Sequence, residues 1–194
     1  MTDLLPLMTY CLVMSGTPGP NNLMVTASGA NFGYRAALPL ILGINTGVAL
    51  QTFVCCLGLG SLFMAYPALH QVLRVAGALY LVYLAWKLAA SSIGEARTAR
   101  APGFLQGLIF QAVNPKSWVK GVTLASVFMP TDMSVPAGAL VVAVVGAIIG
   151  FSCTSTWAAF GVAIRGWLRE PRRQHLFNLL MGGSLLLLAL KFLL

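Results

Sequence analysis

Two short stretches of this 194-residue chain carry most of the groups able to do chemistry. The first is Gly16-Thr17-Pro18-Gly19-Pro20-Asn21-Asn22, set in an otherwise apolar run. The second holds Gln111, Asn114, Pro115 and Lys116, with Lys120 one turn further along. Proline has no backbone N–H and clashes with the carbonyl four residues back, and glycine loosens the backbone, so each stretch predicts an interrupted helix. Thr17-Pro18 and Asn114-Pro115 are each a capping residue followed by proline, the usual order at a helix start. A restarted helix presents unpaired N–H groups and its positive dipole end, which suit an anion. The freed carbonyls, with the side chains of Asn21, Asn22 and Asn114, can accept hydrogen bonds from an ammonium. A small zwitterion such as an amino acid meets both requirements.

The elements that must position these groups are read from composition. Hydrophobic residues make up 58% of the chain and charged residues only 8%, far from the soluble balance of about a quarter charged. No Asp, Glu, Lys or Arg falls between Asp3 and Arg35, between Arg35 and Arg74, or between Asp132 and Arg165. These runs exceed the roughly 20 apolar residues that cross a bilayer core. The sequence therefore predicts an all-α integral membrane protein with six transmembrane helices, at about 4–27, 38–64, 68–90, 105–129, 135–163 and 176–194. The first and fourth are broken at their prolines. Asp3 with no preceding Lys or Arg lacks the basic region of a cleavable signal peptide, so the first segment is expected to be retained.

Basic residues set the orientation. Arg35 marks the first loop, Lys87, Arg97 and Arg100 the third beside Glu95, and Arg165, Arg169, Arg172 and Arg173 the fifth; only Arg74 and Lys191 lie toward the other side. The positive-inside rule then places the odd loops in the cytoplasm and both termini in the periplasm. The second loop is the turn around Tyr66-Pro67. One domain is expected, with two inverted three-helix repeats at about 1–97 and 98–194. An offset of 97 residues, half the length, lays Pro18 on Pro115 and Pro39 on Pro136. Matching interruptions in inverted halves point toward a transporter site.

Lys116 lies about a dozen residues into its helix, roughly 18 Å at 1.5 Å per residue. A cation at that depth is expensive and reads as functional. The plainer alternative is that Lys116 only bonds carbonyls freed by Pro115. The role of Lys120 stays open between substrate binding, proton coupling and structure. The acids Asp3, Glu95, Asp132 and Glu170 all fall at segment ends or in loops. No carboxylate is left to pair with a cationic substrate side chain, which favours a neutral amino acid. The same absence leaves Lys116 and Lys120 as the groups available to carry a proton within the membrane.

Other chemistries fit less well. Cys11, Cys55, Cys56 and Cys153 lie in apolar segments with no C-x-x-C pair or neighbouring histidine, and read as small buried hydrophobes. No metal or cofactor is expected. Ser152, Thr154 and Ser155 have no His-Asp partner, since His70 and His175 sit near loops, so an intramembrane enzyme is disfavoured. Those hydroxyls are expected to bond the preceding turn or a neighbouring helix. The basic excess sits at segment ends rather than on an aromatic-laced face, against nucleic acid as a partner. Gly43-x-x-x-Gly47 and Gly146-x-x-x-Gly150 allow close helix contact, with packing inside one chain the favoured reading and a homodimer interface the alternative. A metal or other small-solute exporter and a non-transporting subunit remain as alternatives.

Together, Thr17-Pro18-Gly19-Pro20-Asn21-Asn22, Gly33-Tyr34-Arg35, the Tyr80 to Lys87 stretch YLVYLAWK, and Phe104-x-x-Gly107 leading to Asn114-Pro115-Lys116 resemble the LysE/RhtB family of bacterial amino-acid exporters. The resemblance covers nearly the whole chain, and the TPGPNN and YLAWK stretches are most similar to its cysteine and O-acetylserine branch. It implies an inner-membrane exporter of neutral amino acids or derivatives, driven by the proton gradient. On that reading the site comprises Thr17 through Asn22, Gln111, Asn114, Pro115, Lys116 and Lys120.

Overall fold

The computed structural model describes residues 4–59, 67–90 and 101–193. The expected loop residues Tyr66, Glu95, Arg97 and Arg100 lie outside them, as do Asp3 and the side chains of His70, Arg74, Lys87, Arg169 and Lys191. The described chain is all-α, with helices α1 (Leu5–Gly16), α2 (Pro20–Phe32), α3 (Tyr34–Val54), α4 (Pro67–Ala90), α5 (Phe104–Val113), α6 (Pro115–Val127), α7 (Val135–Ile164) and α8 (Pro171–Leu193). A π-helical turn, Cys55–Leu59, extends α3, and a 3-10 turn, Trp167–Arg169, precedes α8. Two stretches, Tyr34–Leu59 and Val135–Ile164, are long and apolar enough to cross a membrane by themselves.

The two proline interruptions fall where the sequence places them, between α1 and α2 and between α5 and α6. The first loop is shorter than expected. Instead of a connection from about 28 to 37, α2 runs on to Phe32 and α3 starts at Tyr34, with Gly33 alone between them. Gly33 has φ +89° and ψ 165°, a backbone that a side chain would strain, so one glycine redirects the chain. This moves Pro39 into the interior of α3 while Pro136 stays in the first turn of α7, so the two are not equivalent positions. The last helix likewise begins earlier than expected, at Pro171, whose missing N–H is harmless in a first turn.

Each interrupted helix packs on a long helix from the other half of the chain: α1 and α2 on α7, and α5 and α6 on α3. The helices α3 and α7 also pack together, and α4 packs on α8. Small residues permit these approaches. A Cβ on Gly43 would meet the Phe104 backbone, and one on Gly107 would meet the backbone of Leu40 and Ile44. Gly29 faces the Ala158 backbone and Gly161 faces that of Thr26. The Gly43-x-x-x-Gly47 motif is thus used within the chain, against α5. Leu50, Leu79, Ile148 and Leu187 are each more than half exposed, an outward apolar surface suited to lipid.

Gly43→Val is expected to destabilise the fold by about 3 kcal/mol or more, because the added branch meets backbone that cannot step aside. Gly166→Val, where a Cβ meets open space, is expected to be neutral. Thermal melting and monodispersity of the two variants in detergent measure the difference.

Candidate functional site

The site begins with the carbonyls that the first break strips of helical partners. Backbone groups buried in lipid must be satisfied within the protein, and here each has a substitute. Pro18 cannot donate to Met14, whose carbonyl takes the Thr17 hydroxyl at 3.3 Å. Asn22 Nδ2 donates to Ser15 O at 2.8 Å and to Thr17 O at 2.9 Å. Gly16 O, orphaned by Pro20, accepts from the Trp157 indole at 3.1 Å. Lys116 Nζ, from the second break, donates to Thr17 O at 3.0 Å, to Thr17 Oγ1 at 2.9 Å and to Pro18 O at 3.4 Å. Gly19 is fully extended, and a Cβ there would sit 3.0 Å from Lys116 Nζ, so glycine makes room for the ammonium.

The second break is built differently. Asn114 caps α6, its side chain accepting from Lys116 N at 3.2 Å. Gln111 O, freed by Pro115, takes Gln51 Nε2 at 3.3 Å. The alternative in which Lys116 serves the carbonyls freed by its own proline is therefore not what the geometry shows; its ammonium crosses to the other break.

A buried amide cluster joins the two breaks. Asn21 and Gln111 exchange hydrogen bonds of 3.1 Å in both directions. Asn114 Nδ2 donates to Asn21 Oδ1 at 3.1 Å and to Gln111 Oε1 at 3.2 Å, and Ser117 Oγ adds a further donor to Gln111 Oε1 at 3.2 Å. Lys120, only 6% exposed, donates to Ser15 Oγ at 3.0 Å. The residues assigned to the candidate site from sequence thus lie at one junction.

Beside the junction is a cavity of about 50 Å³, space for several waters. Its lining comes from the breaks, with Ser15, Gly19, Pro20, Asn21, Asn22, Asn114, Lys116, Ser117 and Lys120, and from the long helices, with Ile44, Asn45 and Val48 of α3 and Gly150 and Thr154 of α7. Asn22 spends its donors on the Ser15 and Thr17 carbonyls, which only accept, so its amide orientation is fixed and Oδ1 is the end left to receive a proton donor. The start of α2 and two lysines supply positive potential. The walls can therefore hold an ammonium and a carboxylate at once.

The model of the LysE type translocator family matches residues 12–194. The chain belongs to that family. This translocator is similar to the cysteine/O-acetylserine efflux proteins of Escherichia coli strain K12 and Shigella sonnei strain Ss046, at 32% identity over 167 residues, covering 86% of this chain and 86% of each relative. No solved structure matches it. Membership makes the chain a transporter of the efflux type and not an enzyme.

Sequence reading missed Ser15, Ser117, Asn45 and Trp157 in this translocator. Asn45 was detectable as an amide inside the charge-free run from Arg35 to Arg74. Trp157 carries no such signal, since its role depends on α7 passing the first break. Thr154 bonds both the preceding turn, at Gly150 O, and the neighbouring helix, through Asn45.

Proposed function

We propose that this translocator exports a small neutral amino acid, or a derivative of one, across the bacterial inner membrane by proton antiport. The observation that carries the reading is the meeting of two interrupted helices around a polar cavity in a protein that is otherwise apolar. The names of the cysteine/O-acetylserine efflux relatives support the substrate class. The substrate ammonium goes to Asn22 Oδ1, and its carboxylate to the start of α2 with Lys116 and Lys120. Counting α1–α2 and α5–α6 as one interrupted span each gives six spans with α3, α4, α7 and α8. The reciprocal packing of broken on long helices favours two inverted halves rocking about the site. The basic residues at Arg165, Arg172 and Arg173 favour periplasmic termini. With acids confined to segment ends, Lys116 or Lys120 carries the coupling proton.

Purified protein in liposomes, given a panel of labelled neutral amino acids and an imposed pH gradient, is expected to move at least one of them against its gradient. Movement must stop when the pH gradient is collapsed. Absence of movement for the whole panel, with the protein's thermal stability unshifted by addition of any of its members, would sink the reading in favour of a non-transporting subunit.

A further inference from the structure

The part of the cavity lining that α3 and α7 supply is apolar at Ile44 and Val48 and polar at the pair Asn45 and Thr154. Asn45 is 9% exposed. Its Nδ2 donates to Ile41 O at 2.8 Å and to Thr154 Oγ1 at 2.9 Å. Ile41 O can only accept, so the amide cannot be turned around, and Oδ1 points away from these partners. Thr154 reinforces the arrangement, because its own proton goes to Gly150 O at 2.9 Å and its lone pair is left to receive Asn45. Among the described residues Asn45 Oδ1 receives no hydrogen bond, yet it is not sealed from the cavity as a buried orphan would be. Gly150 is cut away beside it: a Cβ there would stand 2.8 Å from Asn45 Oδ1. An acceptor has been fixed in place, cleared of obstruction and left to the cavity.

An α-amino acid carries its ammonium and carboxylate on one carbon, so on the reading above both are held by the residues of the breaks. Its side chain is then left to the lining from α3 and α7. We propose that Asn45 selects that side chain: Oδ1 accepts a hydrogen bond from a hydroxyl or thiol proton, so serine-, homoserine- or cysteine-like substrates are taken in preference to apolar or O-acylated ones. An unmet acceptor is costly when a substrate without a donor occupies the site. That asymmetry is what lets a polar pocket reject an isostere lacking the group. This inference rests on the exporter reading above and names the substrate within it.

The test compares serine with 2-aminobutyrate, which replaces the hydroxyl by a methyl group, and with O-acetylserine, in reconstituted liposomes. Wild type is expected to export serine about tenfold faster than 2-aminobutyrate at low substrate, with O-acetylserine nearer the latter. In Asn45→Leu the ratio falls to about one. Because the readout is a ratio within one preparation, a lower yield of folded variant does not affect it. If Asn45→Leu yields no folded protein, Gly150→Ala, which pushes on Oδ1 while keeping the amide, is expected to lower the ratio in the same direction. A wild-type ratio near one overturns the assignment, as does an Asn45 variant that slows all three substrates equally, which would make Oδ1 an ammonium acceptor. Export of no amino acid by wild type fails the exporter reading itself.

Discussion

Lys116→Met is expected to lower export about 100-fold at low substrate while the protein remains folded in the membrane. The size follows from the charge-assisted contact that the ammonium makes with the substrate carboxylate on the reading above, at about 1.5–3 kcal/mol. The survival of the fold follows from how the first break is satisfied. Met14 O, Ser15 O and Gly16 O are held by Thr17, Asn22 and Trp157, and Thr17 O keeps Asn22 when the ammonium is gone. Only Pro18 O loses its partner. Asn22→Ala is the contrasting case, because it frees Ser15 O at the heart of the break and is expected to lower stability by about 2 kcal/mol. Lys116→Arg is not expected to rescue: the ammonium's protons converge on Thr17 O, Thr17 Oγ1 and Pro18 O, a cluster that the flat fork of a guanidinium does not match. Efflux rates set against the amount of monodisperse protein separate the two effects. Equal loss of stability in Lys116→Met and Asn22→Ala would reduce Lys116 to a structural staple.

The breaks were legible because proline and glycine act on the backbone locally. Pro18, Pro20 and Pro115 remove donors whatever surrounds them. Asn114 caps the restarted α6 as its place before proline predicts, but Thr17 does not cap a restart: it closes α1, and α2 starts from Gly19 with Pro20 in its first turn, because Pro20 as well as Pro18 is unable to donate. The meeting of the two stretches was readable for a second reason, since deep polar groups in lipid must find one another. What lay beyond the sequence depends on packing. A single glycine at 33 does the work of a loop only because α2 and α3 lie side by side on its flanks, and Pro39 is tolerated inside α3. Gln51 and Trp157 look like ordinary interior residues until α5 brings Gln111 O to the first and α1 brings Gly16 O to the second. Lys116 was recognisable as costly, but which break it serves is decided by geometry alone. The free end of Asn45 emerges only once Ile41 O and Thr154 have taken its donors.

Lys120→Met is expected to abolish export and at the same time to stabilise the protein, by about 2 kcal/mol or roughly 5 °C in melting temperature. An ammonium can make three hydrogen bonds, and among the described residues Lys120 makes one, to Ser15 Oγ. A cation at the membrane interior costs about 2.5–3.5 kcal/mol on insertion scales, and one neutral hydroxyl offsets only part of that. Methionine fills the same volume without the charge, beside the apolar core of Leu7, Cys11, Leu124 and Val142 that the adjoining helices share. The hydroxyl of Ser15 can turn to another acceptor within its own helix, so the loss on that side is small. A residue that weakens the fold and yet is needed for transport is what a substrate or proton site looks like, because stability and function there oppose each other. Thermal melting beside efflux decides it. A lower melting temperature with export reduced in proportion would make Lys120 a structural group. A higher one with export intact would leave it no role in transport, and would assign the coupling proton to Lys116.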